Sequence, residues 1–192
     1  MRSDRMKVLV LIGTLALGAC STLESPNPAS PYYAYPPGWV VRLNQPLQID
    51  PDSATVRLQY GRIVPRNSVQ EQDPFCIVEV NTVGATAQFL QPGRFEVVRV
   101  THSISTLSAT ASPFVNPGYR KVGFGGGDSP TFMYFITEFQ LRDPDQPNLR
   151  SMRCAWNQMA PGNRSLMRYL TLDEIRSALG DWITLIPPRE TL

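Results

Sequence analysis

The chain has 192 residues, room for one domain of ordinary size. At 42% hydrophobic and 18% charged, it holds enough apolar residue for a core and too much for a disordered chain. The net charge of +2 is accounted for by Arg2, Arg5 and Lys7 against Asp4, so the remainder is neutral and no nucleic acid partner is expected; the single histidine, His102, excludes a metal site built on several.

Arg2, Arg5 and Lys7 flank an apolar run at residues 8–17 (VLVLIGTLAL). A spanning helix needs about 20 such residues, so this run is too short to cross a bilayer stably. Translation starts at Met1 or at Met6, which stands just before the run. The run ends in Leu17-Gly18-Ala19-Cys20, an apolar residue, two small residues and a cysteine.

On these residues the chain resembles a bacterial lipoprotein precursor. The resemblance implies a signal peptide over 1–19, cleavage before Cys20, a diacylglyceryl thioether on its sulfur and an acylated new amino terminus. Each buried CH₂ contributes about 0.8 kcal/mol, and three chains make an effectively permanent anchor. Ser21 and Thr22 follow the cysteine where aspartate would mark retention in the inner membrane. The resemblance therefore implies the outer membrane, with the body facing the periplasm.

Residues 21–38 (STLESPNPASPYYAYPPG) carry five prolines and no apolar period. With Cys20 they read as a Pro-rich tether over 20–38, extended and partly polyproline-like, with a reach of roughly 55 Å. Tyr32, Tyr33, Tyr35 and Trp39 near its end are expected to dock on the domain that follows.

Residues 39–192 read as one β-rich globular domain. Ala54, Val56, Leu58 and Tyr60 alternate with Thr55, Arg57 and Gln59, a half-buried strand. Residues 76–80 (CIVEV) and 95–101 (FEVVRVT) are two more. Residues 131–142 place Met133, Phe135, Phe139 and Leu141 on one face. Residues 149–156 place Met152, Cys154 and Trp156 on one face and Arg153 and Ala155 on the other. DPDQPN at 143–148 is turn chemistry, so these last two strands form a hairpin. Thr171 and Glu174 have the spacing of a capping box, Leu172, Ile175 and Leu179 share a helix face, and Gly180 stands at its end. WITLI at 182–186 reads as a last strand. The fold class is mainly β (α+β), an antiparallel sheet or sandwich with one short C-terminal helix.

With Cys20 lipidated, Cys76 and Cys154 remain. Both lie in apolar-alternating segments, and an oxidising compartment pairs such cysteines, so a structural disulfide covered by Trp156 is expected. Chain entropy puts its contribution at roughly 4–5 kcal/mol at most for so long a loop.

Other motifs fall short of chemistry. GFGGGD at 123–128 lacks the Lys-Ser/Thr of a phosphate loop and reads as a hairpin tip in the long connection over 109–130. Asp50-Pro51-Asp52 and Asp143-Pro144-Asp145 are ordinary turn material and supply too few oxygens for Ca²⁺. His102 lies near Ser103 and Ser105 after a strand, without the Gly-x-Ser-x-Gly of a hydrolase. Arg142, Arg150 and Arg153 read as a solvated face opposite Glu138 and Asp145. No catalytic, cofactor or metal residue is expected. The sequence points to a non-catalytic envelope lipoprotein, held to the membrane by its lipid and binding another envelope protein or serving a structural role. The alternatives are an envelope hydrolase, or a carrier of a small apolar ligand, which needs an internal cavity of about 300 Å³.

Overall fold

The computed structural model describes residues 24–107, 132–159 and 167–188. Its strands are β1 (Val40–Leu43), β2 (Leu47–Ile49), β3 (Thr55–Gln59), β4 (Arg62–Val64), β5 (Phe75–Val80), β6 (Gln88–Leu90), β7 (Gly93–Leu107), β8 (Phe132–Arg142), β9 (Leu149–Met159) and β10 (Ile183–Ile186), with one α-helix, α1 (Leu172–Leu179). Eight strands form a curled antiparallel sheet in the order β10-β1-β7-β8-β9-β5-β3-β4, and β2 and β6 pair separately. Among the described residues, the mainly β class and one α-helix near the C-terminus are as the sequence implied.

Period-two alternation sets the two faces. Val56, Leu58, Cys76, Val78, Phe139, Leu141, Met152 and Cys154 point inward and pack with Leu172, Ile175, Ala178 and Leu179 of α1. The helix touches β3 and β5 near one edge of the sheet and β10 at the other, so the sheet wraps it. Both halves of the capping box form: the Glu174 N–H donates to Thr171 Oγ1 at 3.3 Å, and the Thr171 N–H donates to the Glu174 carboxylate at 2.8 Å. Asp173 and Arg176 are exposed and pair with each other at 3.2 Å. Trp182 is partly buried against the same core.

A two-residue turn, Tyr60-Gly61, joins β3 to β4, both residues at positive φ (53° and 70°). Tyr60 is thus an exposed turn residue rather than the end of the strand. The Gly61 N–H donates to Ala178 O at 3.1 Å, and a Cβ on Gly180 would meet Gly61 Cα at 2.4 Å. Only glycine at 180 permits this approach of turn to helix end.

The outer face is divided. Phe75, Ile77, Tyr134, Ile136 and Ala155 form a second apolar cluster with Val69 against it. The connection from β4 to β5 covers it, held by the buried Gln59 side chain, which bonds the Gln70 N–H (2.9 Å) and the Gln70 carbonyl (2.8 Å). Farther along, Arg153 bridges Glu79 (3.1 Å) and Glu138 (3.4 Å) on the two flanking strands, Arg150 reaches Glu79 (3.4 Å), and Arg142 pairs with Glu96 (2.8 Å). Asp145 plays no part in these pairs; its N–H instead bonds Asp143 Oδ1 at 3.0 Å within the turn.

Candidate functional site

The cysteines expected to pair do so. Cys76 and Cys154 are fully buried, directly opposite each other on β5 and β9, and joined by a disulfide. Register places them in one inward-facing row across five strands: Leu58, Cys76, Cys154, Thr137 and His102. Trp156, the next inward residue on β9, packs against this core. Its Nε1–H donates to Arg168 O at 2.7 Å, and the Arg168 guanidinium lies 4.8 Å from its ring centroid.

His102 lies inside β7 rather than after a strand, because β7 runs to Leu107. A bulge around Val98 resets the alternation, so Phe95 and Val97 face inward before it and Val100, His102 and Ile104 after it. Ser103 and Ser105 therefore project to the opposite face from His102, which separates the hydroxyls from the imidazole. The ring neighbours of His102 are Tyr169 at 4.5 Å and Tyr35 at 6.2 Å between centroids. Although solvent reaches it, the protein packed around the ring disfavours its charged form and lowers its pKa from 6.5, with the Glu24 carboxylate pulling the other way.

The aromatic set extends from there. Tyr35 meets Phe139 (5.1 Å), Trp39 (5.6 Å) and Tyr33 (4.8 Å) edge to face, and Tyr169 meets Phe135 (5.4 Å) and Tyr32 (6.0 Å). Burial pushes the Tyr35 phenol well above its ordinary 10, so it stays protonated. Two buried polar atoms here, Trp39 Nε1 and Thr137 Oγ1, have no hydrogen-bond partner among the described residues.

These rings come together because the segment read as an extended tether is folded over 24–38. Ser25 N–H donates to Tyr32 O (2.8 Å), and Ala34 N–H to Ser25 O (2.9 Å), closing a loop. Side chains of Ser25, Asn27 and Ser30 accept from the backbone two residues on, the local bonding that Asn and Ser favour in turns. Tyr33 is buried, and the tyrosines dock on the domain as expected. Beside them lies an open groove of about 320 Å³ lined by Glu24, Ser25, Pro26, Tyr33, Ala34 and Pro36. The core void between Val41, Leu47, Val78, Phe95 and Met152 measures about 10 Å³, water-sized and far below a ligand's volume.

Arg168 links the patch to the helix. It forms a two-armed salt bridge with Glu174 at 2.7 and 2.8 Å. That pairing, with the Thr171 bonds, holds the Glu174 carboxyl down to about 2 against the opposing effect of burial. Sequence reasoning missed Tyr169 and Arg168, which sit in an irregular segment with no period to mark them. Asp50–Asp52 forms a turn, with Ser53 N–H bonding Asp50 O at 3.2 Å. Among the described residues, no three His, Cys, Asp or Glu side chains are gathered to hold a metal. Cys20, the lipobox and residues 109–130, including the glycine run at 123–127, lie outside the described residues.

No family model matches the chain, and no curated protein or solved structure matches it either.

Proposed function

We propose that this chain is a lipid-anchored protein of the cell envelope, held at Cys20 in the outer membrane, its body facing the periplasm in a binding or structural role. The observation that carries the reading is the division of labour among three cysteines. Cys76 and Cys154 are consumed by a buried cross-strand disulfide, a bond typical of oxidising compartments. The third, Cys20, ends a basic-then-apolar segment at the position where a lipobox needs its thiol.

Binding is favoured over catalysis by what surrounds His102. Its ring neighbours are Tyr35 and Tyr169, Ser103 and Ser105 project to the other face, and burial disfavours its charged form more than the Glu24 carboxylate favours it. A partly exposed set of tyrosines with an adjoining groove suits recognition of another envelope component, since such rings offer contact area at low entropic cost. The experiment is labelling of cells with radioactive palmitate. The native chain should incorporate label and partition with membranes, while Cys20→Ser should lose the label and accumulate as precursor or leave the membrane fraction. Label retained by Cys20→Ser would overturn the reading.

A further inference from the structure

We infer that the end of the domain bearing Tyr32, His102, Ile104 and Tyr169 lies against the phospholipid headgroups of the membrane that holds the anchor. The inference rests on the anchored reading above and adds an orientation to it. Its first support is chain length. The fold begins to bond to itself at Ser25, whose N–H is tied to Tyr32 O and whose carbonyl is tied to the Ala34 N–H. Cys20 and Glu24 are four residue steps apart, which at about 3.5 Å each allow no more than about 14 Å. A tether of 20–38 would have set the body free of the bilayer; one ending at Glu24 holds it close.

The second support is where the chain leaves the domain. Glu24 acts electrostatically on His102, and Tyr32 meets Tyr169 edge to face, the latter packing in turn on His102 and Phe135. The amino terminus therefore emerges beside the second half of β7. At about 3.3 Å per residue, the Gly93 end of that strand is roughly 35 Å from Ile104, beyond the reach of four residues.

The third support is the chemistry of the surface at this end. Ile104 is 49% exposed and Tyr32 36% exposed, with His102 exposed between them and the partly exposed Tyr169 and Arg168 beside them. Tyrosine rings beside an apolar side chain suit the headgroup layer, where one part of each ring is dry and the other wet, while the Arg168 guanidinium stays paired with Glu174. The opposite end also exposes apolar side chains, Phe89 at 57% and Val83 at 64%, but sets them among Gln88 bonded to Asn148 and Gln91 bonded to Gln146, so the surface chemistry supports the choice of end less than the point where the chain emerges does.

The test places a benzophenone-bearing amino acid at position 104 or position 89 of the full chain in intact envelopes. After irradiation, phospholipid adducts are quantified by mass spectrometry, and palmitate labelling is measured on the same samples. The expected result is at least tenfold more phospholipid adduct from position 104 than from position 89, in palmitate-labelled protein. Equal or reversed yields in labelled protein, or an adduct at 104 formed with protein instead of lipid, would overturn the orientation and leave the anchor standing. Absence of palmitate label would overturn the anchor itself, and the orientation with it.

Discussion

The two halves of β7 share one strand and differ in almost everything else. Before the bulge at Val98, Phe95 is fully buried and Val97 nearly so, with β1 on one side and β8 on the other. After it, β1 has ended, and the inward face carries Val100, then His102 and Ile104, both exposed. The backbone ladder with β8 continues through both halves. What changes is the cover: strands, helix and a packed core in one half, aromatic rings and solvent in the other. The lesson is that strand formation and burial are separable. Hydrogen-bond pairing carries the strand onward, while hydrophobic burial decides which part stabilises the fold and which part is left to meet something else.

Substitutions should break that contrast in a definite order. Phe95→Ala opens a cavity in the closed half and should cost about 3–5 kcal/mol in denaturant unfolding of the soluble body. Replacing both cysteines, Cys76→Ala with Cys154→Ala, removes a link across a 78-residue separation and should cost about 2–4 kcal/mol. Free-thiol titration of the unreduced, denatured body should find neither cysteine reactive, and two reactive thiols would remove the bridge from the account.

Glu174→Gln weakens the capping box and the Arg168 pair for about 1 kcal/mol, since both side chains remain partly solvated. Because the folded carboxyl is held at about 2, below its ordinary 4.5, this stabilisation is complete above about pH 4.5 and is lost as pH falls toward 2. The variant's stability should accordingly vary less across that interval, as read from unfolding at several pH values. Ile104→Ala should be the mildest, within about 0.5 kcal/mol, because the side chain is half exposed. A large loss there would show that the second half of β7 belongs to the core after all.

The same contrast explains what the sequence revealed. Elements with their own local chemistry were legible: Thr171 and Glu174 announce the helix, DPDQPN announces the hairpin of β8 and β9, and alternation around Cys76 and Cys154 turns both cysteines to one face. The continuation of β7 beyond Thr101 was not, because Ser103 and Ser105 dilute its apolar signal and the bulge shifts its phase. The strands β1, β2 and β6 are only three or four residues long, too short to show a period, and tertiary pairing makes them. The loop over 24–38 looked extended because prolines dominate its composition, whereas serine and asparagine bonds close it and its tyrosines find rings on β7, β8 and the segment before α1. The aromatic patch is accordingly legible only in part. Tyr32, Tyr33, Tyr35 and Trp39 stood out as a group, but their meeting with His102 and Tyr169 is a long-range event that no local pattern encodes.

The anchor is the centre of the functional account, and the mass of the mature protein extracted from membranes tests it most directly. The account predicts a chain that begins at Cys20 and carries a diacylglyceryl group and one further acyl chain, with no mass left for residues 1–19. A mature chain that begins elsewhere, or that carries an unmodified Cys20, would contradict it.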